Sequence, residues 1–520
     1  MALTTALRRA RQVNGGGTAI AAANETITWS ELCEQVACLA AGLRDCGVES
    51  GDRVAILSLN RPEVLKAQYA VLWAGAILVP LNFRFAPAEL AHAISVAGVK
   101  LLLVDRFFQE TVSNVARDTG VEVRCLESGA GTAYPSLAGS DPIEDRSTGN
   151  ASDVAGIFFT GGTTGLPKGV ALSHQNILIH VLEMRQALEY CADSVYAHIM
   201  PMFHLADFGM GHALTLAAGT HCFLEQFSAE ASLHLAATRG VTHLSLVPTM
   251  IALLLDEIER SLMPSDEVAS FAALEMITYG AAPISPPLLD RLTRLLPGVR
   301  LRQFYGMTET CGACVTLAPE FHSDQQQSRG RMRSVGQPMA TAEVRIVRED
   351  GRPSFTGEAG EILIRGPQVM VGYWNDLPGT ARSLRDGWMH TGDVGLIDGD
   401  GFVTLLDRSK DMIISGGENI FSNEVENALA SHPDVLSCAV IGVPDPQWGE
   451  RVHAVVVTAP GRFRDGLPED IQLHCRRLIA GYKIPRSWAF RDTPLPLSGV
   501  GKVLKHQLRK EFLDLAGEPR

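Results

Sequence analysis

Residues 158–170 read Phe158-Phe159-Thr160-Gly161-Gly162-Thr163-Thr164-Gly165-Leu166-Pro167-Lys168-Gly169-Val170. Glycines let backbone N–H groups approach an anion closely, threonine hydroxyls add hydrogen-bond donors, and a lysine adds a mobile positive charge. No Gly-Lys-Ser/Thr ends a G-x-x-x-x-G-K frame here, so the stretch is not a Walker A loop. The composition therefore predicts another kind of phosphate-holding loop, with a plain glycine-rich surface turn as the alternative.

The sequence around this loop alternates between apolar runs and helical patterns. The runs predict buried strands at 54–57, 101–104, 157–159, 243–247, 276–279 and 301–305. Leu32, Val36 and Leu39 have helical spacing, and Thr28 with Glu31 before them predicts a capping box. Such alternation predicts an α/β fold of parallel sheets covered by helices, with the glycine-rich loop beyond the carboxyl end of its strand.

The pattern changes after residue 335. Short alternating runs with Gly/Asp turns over 335–407 predict an antiparallel β subdomain, and a charged break follows it. Beyond the break, strand and helix patterns predict a small α+β unit. We therefore predict a large N-terminal domain over 1–407, a hinge at 408–410 and a small C-terminal domain over 411–520.

Composition narrows the class of protein. The chain has 520 residues, enough for two or more domains, and a net charge of −13 that argues against broad nucleic-acid binding. Its 10 cysteines lack CxxC spacing, which fits a reduced, cytoplasmic protein without structural zinc. We find no long apolar segment, so we expect neither a signal peptide nor a membrane span.

Further short motifs follow the loop in a fixed order. They are Gly280-Ala281-Ala282-Pro283, Tyr305-Gly306-Met307-Thr308-Glu309-Thr310, Thr391-Gly392-Asp393, Asp407-Arg408-Ser409-Lys410-Asp411, Ile414-Ser415-Gly416-Gly417-Glu418-Asn419-Ile420 and Leu497-Ser498-Gly499-Val500-Gly501-Lys502. With the loop, they resemble the motifs of the adenylate-forming enzymes: acyl-CoA synthetases, aryl-CoA ligases, luciferases and peptide-synthetase adenylation domains. The resemblance covers nearly the whole chain, and one departure is Gly161, where many relatives have serine.

The resemblance implies a nucleotide site. Its cofactor-binding residues would be Thr160, Gly161, Gly162, Thr163, Thr164, Gly165, Lys168, Gly280, Ala281, Ala282, Tyr305, Gly306, Asp393, Arg408, Gly416 and Gly417. Tyr305 would offer a flat ring to the adenine, and Asp393 would accept hydrogen bonds from the ribose hydroxyls. Arg408 would contact ribose or phosphate, and the last two glycines would line the tunnel for the pantetheine arm of CoA.

The resemblance also implies catalytic roles for Lys502, Glu309, Thr308 and Lys410. Glu309 would bind Mg²⁺ through hard carboxylate oxygens, and Thr308 would donate to the α-phosphate. Lys502, on a glycine-flanked loop, would stabilise charge on the attacking carboxylate and the phosphate. Lys410 would be the hinge residue whose φ/ψ change rotates a mobile C-terminal domain.

The segment that ends at His204 resembles the family's gate beside the acyl pocket. His204, Phe208, Gly209 and Met210 would line this pocket. They are mostly small or apolar, so we expect a hydrophobic carboxylic acid, and fatty, aryl and polycyclic acids all stay open. Asp207 leaves an amino acid open as well, because peptide-synthetase domains use an aspartate in this region to bind an α-amino group.

The implied reaction is ATP-dependent ligation of a carboxylic acid to CoA through acyl-AMP, with release of pyrophosphate. ATP, Mg²⁺, CoA and a small carboxylic acid would be its cofactors and partners, and a phosphopantetheine carrier protein or a homodimer stays open. Candidates for contacts with the CoA phosphates are Arg462, Arg464, Arg476, Arg477 and Lys483. The alternatives are an enzyme of only one half-reaction, a luciferase-like oxygenase and a non-enzymatic nucleotide-binding protein.

Overall fold

The structure is a computed structural model of the chain. It describes residues 2–23, 25–127, 134–135, 137, 141–147, 150–160, 166–261, 273–282, 284–322, 330–458, 461–497 and 503–516. None of the helices in this part of the chain has the length and apolarity that crossing a bilayer would need.

The helices and strands alternate over most of the chain. The helices are α1 (Thr5–Asn14), α2 (Trp29–Asp45), α3 (Pro62–Trp73), α4 (Pro87–Ala97), α5 (Gln109–Thr119), α6 (His174–Ala187), α7 (Leu205–Ala217), α8 (Ala229–Arg239), α9 (Pro248–Ser261), α10 (Pro286–Leu295), α11 (Leu377–Ser383), α12 (Ser422–Ala430), α13 (Leu467–Cys475) and α14 (Lys505–Ala516). The strands of the first half are β1 (Thr18–Ala21), β2 (Thr26–Thr28), β3 (Arg53–Leu57), β4 (Ile77–Pro80), β5 (Val99–Val104), β6 (Glu122–Cys125), β7 (Val154–Thr160), β8 (Lys168–Ser173), β9 (Val195–His198), β10 (Thr220–Phe223) and β11 (His243–Leu246). The later strands are β12 (Met276–Gly280), β13 (Arg300–Met307), β14 (Gly312–Leu317), β15 (Gln337–Pro338), β16 (Glu343–Val347), β17 (Gly360–Arg365), β18 (Gly372–Tyr373), β19 (Leu384–Arg385), β20 (Trp388–Ile397), β21 (Val403–Arg408), β22 (Ile413–Ser415), β23 (Glu418–Ile420), β24 (Val435–Asp445), β25 (Gly449–Thr458) and β26 (Ser487–Arg491).

The start of α2 shows how local sequence sets these bounds. Thr28 Oγ1 accepts a hydrogen bond from the Glu31 N–H at 3.2 Å, and the Glu31 carboxylate accepts one from the Thr28 N–H at 2.8 Å. The N–H groups of Thr28 and Glu31 are backbone donors that a helix leaves without a partner at its first turn. The predicted capping box is confirmed, and the Thr28 hydrogen bonds lower the pKa of Glu31.

Two large sheets carry most of the N-terminal part. The first sheet has the order β15-β14-β13-β12-β11-β9-β10-β1-β2, and the second has the order β18-β8-β7-β4-β3-β5-β6. Pairs in the interior of both sheets are parallel, and antiparallel pairs occur towards their edges. The predicted α/β class with parallel sheets is confirmed for these interiors.

The glycine-rich loop joins two antiparallel strands. Thr160 at the end of β7 pairs with Lys168 at the start of β8, and the Thr160 hydroxyl lies 3.5 Å from the Lys168 carbonyl. The loop is therefore the tip of a hairpin, and the helix α6 begins only after β8. The sequence pattern did not predict β8, because its apolar centre, Val170 to Leu172, is shorter than an ordinary strand signal.

Two smaller sheets follow. The third sheet has the order β16-β17-β20-β19, with β21 paired to β20, and it is antiparallel as predicted for 335–407. The fourth sheet has the order β23-β22-β25-β24, with β26 parallel to β25. The helices α12, α13 and α14 belong to the same part of the chain. The predicted small α+β unit in the C-terminal part is confirmed. The bounds 1–407, 408–410 and 411–520 stay predictions.

A buried ionic cluster connects the third sheet to this unit across residues 408–410. Asp407 in β21 accepts hydrogen bonds from the Ser422 backbone N–H and, at 2.7 Å, from its hydroxyl. Lys505 in α14 donates to Ser422 Oγ at 2.6 Å and pairs with Glu426 at 2.8 Å. Burial raises the pKa of both Asp407 and Glu426, and the Lys505 ammonium opposes that shift.

We expect Lys505→Met to destabilise the fold by about 3 kcal/mol, because two carboxylates would lose their buried counter-charge. Both carboxyl groups have a raised pKa in the folded protein, so at a pH above these values both are charged and the destabilisation is fully present. As the pH falls through these values, protonation of the carboxylates relieves it. Melting temperatures at pH 8 and pH 5 measure the effect, and the deficit shrinks at the lower pH. Lys510→Met, at an exposed position of the same helix, is the control. A deficit equal at both pH values would contradict the cluster's role.

Candidate active site

A buried carboxylate on β20 is the centre of the candidate site. Asp393 accepts a hydrogen bond from the Tyr305 hydroxyl at 2.7 Å, and its second oxygen lies 3.0 Å from Arg408 Nε. The antiparallel register pairs Asp393 with Arg408, and the Thr391 hydroxyl fixes the strand by accepting from the Asp393 N–H at 3.0 Å. Burial and the Asp393 charge raise the pKa of Tyr305 well above its ordinary value, so this phenol stays a donor.

A second carboxylate lies directly beyond β13. Glu309 belongs to a 3₁₀ turn over Thr308–Thr310, is buried, and accepts a hydrogen bond from the Tyr373 hydroxyl at 2.8 Å. The Lys168 ammonium lies 4.8 Å from the centre of the Tyr373 ring and 3.5 Å from the Asp376 carboxylate. Tyr373 therefore contacts Glu309 through its hydroxyl and Lys168 through its ring.

These contacts place the site where three sheets meet. Tyr305 and Glu309 leave the first sheet at the end of β13, Lys168 begins β8 of the second sheet, and Asp393 lies on β20 of the third. Ends of parallel strands at a sheet junction are the usual position of ligand sites in α/β proteins. These contacts bring together Tyr305 with Asp393 and Arg408, and Glu309 with Lys168, from distant parts of the sequence.

Backbone packing explains why several predicted site positions are glycine. A Cβ at Gly280 would lie 2.4 Å from the Phe304 carbonyl of the neighbouring strand, and one at Gly306 would lie 1.8 Å from the Gly312 carbonyl. Ala281 follows with φ of 64°, a left-handed conformation that L-residues rarely adopt. The 280–282 turn is therefore held tightly against the end of β13.

The predicted acid-pocket residues lie at the start of α7. His204 is the N-cap of this helix, and its Nδ1 accepts from the Ala206 N–H at 3.2 Å. Phe208 is buried and packs edge-on against Phe158 of β7, at 5.2 Å between ring centres. Met210 is also buried, and the Thr278 hydroxyl lies 3.6 Å from its sulfur.

Gly209 has a neighbour that the sequence did not reveal. A Cβ at this position would lie 2.5 Å from Nε2 of His180, which is fully buried on α6. The same ring faces Gly312, where a Cβ would lie 3.0 Å from Nε2. The space beside Gly209 is therefore filled by an imidazole, whereas the sequence suggested room for substrate there. Burial lowers the pKa of His180 to about 4, so the ring is neutral at physiological pH.

Asp207 does not face a substrate amine. Its side chain is completely buried, Oδ1 accepts from the Tyr196 hydroxyl at 2.9 Å, and Oδ2 lies 2.6 Å from His198 Nδ1. Both carboxylate oxygens are thus engaged within the protein. The amino-acid alternative that the sequence left open at Asp207 is wrong for this reason.

The predicted hinge is a tight turn. The Arg408 carbonyl accepts hydrogen bonds from the N–H groups of Asp411 and Met412, at 2.9 and 3.0 Å, and Lys410 lies exposed between them. The Ser409 N–H donates to the Gly392 carbonyl at 2.9 Å, beside Asp393. The hinge role of Lys410 stays a prediction.

Gly416 and Gly417 form the two-residue tip of the β22–β23 hairpin. Their φ values of 63° and 85° are those of a type I′ turn, which explains the glycine pair. Both are exposed, and a Cβ at Gly416 would lie 2.6 Å from the Trp448 ring. Their predicted role in a pantetheine tunnel stays a prediction.

The candidate CoA-phosphate residues divide into two groups. Arg464 pairs with Asp434 and Asp470, both at 2.5 Å, Arg462 lies 3.8 Å from Asp434, and Lys483 pairs with Glu424 at 2.7 Å. Within the described residues, Arg476 and Arg477 are exposed and have no carboxylate within 4.0 Å. The second group is therefore the better candidate for binding an anion.

An open cleft of about 670 Å³ adjoins Arg464. His432, Asp434 and Asp470 could offer metal ligands here, and they are the only such group among the residues that the structure describes. The guanidinium groups of Arg462 and Arg464 already pair with these two aspartates, so we assign no metal to this cleft.

Two parts of the predicted site lie outside the described residues. They are the tip of the glycine-rich loop, at Gly161, Gly162, Thr163, Thr164 and Gly165, and the proposed catalytic Lys502. Their roles stay predictions.

Comparison with known protein families decides the family. Residues 7–374 match the model of the AMP-binding enzyme family, and residues 424–502 match that of the AMP-binding enzyme C-terminal domain. The chain belongs to the AMP-binding enzyme family.

Individual relatives of this AMP-binding enzyme agree along its length. A feruloyl-CoA synthase of an Amycolatopsis species is 39% identical over 97% of this chain and 98% of its own. The solved o-succinylbenzoate CoA synthetase of Bacillus subtilis has a TM-score of 0.84 at 30% identity, covering 97% of each chain. The amide bond synthetase of Marinactinospora thermotolerans has a TM-score of 0.88 at 30% identity, covering 98% of this chain and 99% of its own. The predicted adenylate-forming superfamily and the class of AMP-forming acid–thiol ligases are confirmed.

The sequence missed two residues of this AMP-binding site. Tyr373, which donates to Glu309 and lies under Lys168, comes from a two-residue strand, and only the Gly-Tyr-Trp run at 372–374 could have drawn attention to it. His180 is an ordinary helix residue in the sequence, so no signal indicated that it fills the space beside two glycines.

We expect Gly209→Ala to destabilise this AMP-binding enzyme by about 1–3 kcal/mol, because an added methyl group meets the imidazole of His180, which is buried in a packed interior. Thermal unfolding measures the loss. Gly298→Ala, where an added Cβ meets nothing within 4 Å, is the control. Equal melting temperatures for the two variants would contradict this expectation, because they would show that the His180 ring can move aside without loss of stability.

Proposed function

We propose that this enzyme activates an aromatic carboxylic acid with ATP and Mg²⁺ and then transfers the acyl group to the thiol of CoA. The observation that carries the proposal is the buried Asp393 carboxylate between Tyr305 and Arg408, with the buried Glu309 four residues beyond Tyr305 in the sequence. A hydroxyl acceptor, a ring face, a cation and a metal-binding carboxylate are the groups that a bound ATP requires.

Each residue of this group has a part in holding ATP. Asp393 is an acceptor for the ribose hydroxyls, and Tyr305 both orients that carboxylate and offers its ring to the adenine. The tight 280–282 turn begins at Gly280, which pairs with Phe304 directly before Tyr305, and it would form the other wall. Arg408 adds a positive charge that balances Asp393 and extends towards phosphate.

Glu309 fits a magnesium site. Its Oε1 accepts one hydrogen bond from Tyr373, and a carboxylate has capacity for further ligands at both oxygens. Magnesium would neutralise charge on the phosphates when bound. Lys168 would contribute a second positive charge, since it lies 4.8 Å from the ring of the same Tyr373 whose hydroxyl holds Glu309 in place.

The acid would lie along the start of α7. Phe158 and Phe208 give this region apolar aromatic walls, and the engagement of Asp207 removes an anchor for an amino group. The names of the feruloyl-CoA synthase and the o-succinylbenzoate CoA synthetase both specify acids with an aromatic ring. We therefore propose an aromatic acid that carries no α-amino group.

The second step needs a thiol at the same acyl-AMP. Rotation at 408–410 would replace Lys502 by the Gly416–Gly417 hairpin, and the unpaired Arg476 and Arg477 would meet the CoA phosphates. CoA is favoured because the feruloyl-CoA synthase is similar over nearly its whole length. The likeness to an amide bond synthetase makes an amine acceptor the second candidate.

The test is a panel of carboxylic acids with purified enzyme, ATP and Mg²⁺. We expect ferulate-like and other aryl acids to release pyrophosphate with kcat/KM at least about tenfold above fatty and amino acids, a difference of about 1.4 kcal/mol. A separate assay follows consumption of the acyl-AMP by CoA, by a carrier-protein thiol or by an amine. Pyrophosphate release with no aryl acid would refute the proposal, and amide formation without thioester would favour the second candidate.

The two half-reactions can be separated with two lysine variants. We expect Lys502→Ala to slow pyrophosphate release about a hundredfold, because one charge-stabilising group is worth about 3 kcal/mol of barrier, and to affect thioester formation from supplied acyl-AMP less. Lys410→Pro, which fixes the hinge backbone, should show the opposite pattern. Each variant is the control for the other. Equal loss of both steps in either variant would contradict the division of labour.

A further inference from the structure

One face of α7 carries polar residues into the buried interior. Asp207, Gly211 and Thr215 follow one another at intervals of four residues, so they line one side of the helix. This side lies against β9 and β10, and a Cβ at Gly211 would lie 2.6 Å from Cε1 of His198. Glycine at 211 thus lets a histidine of the sheet approach the helix backbone.

A chain of hydrogen bonds runs along this contact. Asp207 accepts a hydrogen bond from the Tyr196 hydroxyl at 2.9 Å, and its other oxygen lies 2.6 Å from His198 Nδ1. His198 Nε2 lies 2.9 Å from His221 Nδ1, and His221 Nε2 lies 3.1 Å from the Thr215 hydroxyl. All members are at most 1% exposed. We call these five residues the α7 relay.

The polar hydrogens of the relay can be shared in two orders. The Thr215 hydroxyl lies 3.2 Å from the Gly211 carbonyl and 3.1 Å from His221 Nε2, so it can donate to either one. The two imidazoles take opposite tautomers in the two orders, and each contact along the chain keeps a donor and an acceptor, because a neutral imidazole has one of each. Burial keeps the pKa of His221 well below its ordinary value, in agreement with a neutral ring.

In both orders a hydrogen bond joins Asp207 to His198 Nδ1, at 2.6 Å. No donor or acceptor of the relay named above is without a partner, so it can stand in a dry interior without the cost of an unpaired polar group. The heavy atoms of such a network keep one arrangement, and it joins the two ends of α7 to two strands.

The other sides of α7 meet the proposed acid pocket. Phe208 packs against Phe158 of the second sheet, Gly209 against His180, and Met210 beside Thr278. We propose that the α7 relay is a positioning device, which fixes the rotation and depth of α7 and thereby the width of the acid pocket. This inference rests on the proposed placement of the acid beside Phe208 and Met210.

Two neighbouring tyrosines offer a matched test. The rings of Tyr190 and Tyr196 lie 6.3 Å apart, and both are buried. The Tyr196 hydroxyl donates to Asp207, whereas the Tyr190 hydroxyl has no hydrogen-bond partner among the described residues. Replacing each by phenylalanine removes the same atom, once inside the relay and once beside it.

We expect Tyr196→Phe to raise the KM for the acid about tenfold and to leave the KM for ATP within about twofold, as the loss of roughly one hydrogen bond's positioning would do. Tyr190→Phe should leave both values within about twofold of the unaltered enzyme. Asp207→Asn, which replaces one carboxylate oxygen of the relay by an amide NH₂ group, should change the preference between a narrow and a wide aryl acid. Equal acid KM values in the two tyrosine variants would overturn the proposal.

A second measurement does not depend on activity. Hydrogen exchange should accelerate at the amides of residues 208–216 in Tyr196→Phe and stay unchanged in Tyr190→Phe, with the amides of α6 unaffected in both. If no aryl acid supports pyrophosphate release, the proposed function fails, and this exchange pattern still decides whether the relay holds α7. Equal exchange in the two variants would refute the relay.

Discussion

The buried carboxylate of Asp393 connects parts of the chain that form separately. A charge in the interior needs a hydrogen-bonding partner and a counter-charge, and Tyr305 and Arg408 supply them from the first sheet and from the edge of the hinge. The nucleotide site and the hinge therefore share one group. In the proposed function, ribose binding at Asp393 would act directly on the Asp393–Arg408 pair, and Arg408 is the first residue of the predicted hinge.

Helix α7 has a similar connecting role on the acid side. It packs against the second sheet through Phe208 and is joined to the first sheet by the relay that includes Asp207 and His198. Asp207 shows how a residue type can mislead. An aspartate in this region suggested an amine-binding group, yet burial and two internal partners make it a structural acceptor. Its sequestration is one reason to propose an acid without an α-amino group.

The sequence predicted the layered α/β fold well, because strands such as β3 and β5 are continuous apolar runs and the α2 capping box is a local signal. It missed β8, whose short apolar centre resembles a loop, so the phosphate loop was not recognised as a hairpin tip. The sequence also placed Gly209 in the wall of the acid pocket, whereas in the structure this glycine makes room for a packed side chain. Gly209 adjoins His180, which lies 29 positions earlier, and no local pattern contains that contact.

The sequence by itself determined the reaction class, because ATP chemistry needs particular residue types at motifs such as Thr308-Glu309 and Thr391-Gly392-Asp393, and each motif is local. Only the tertiary structure decided how these groups are held. Tyr373 comes to lie between Glu309 and Lys168, and Tyr305 comes to orient Asp393, because three sheets end at one place. Burial and partner choice are properties of the whole packing arrangement, so the same aspartate residue type is a candidate ligand group at 393 and an internal acceptor at 207.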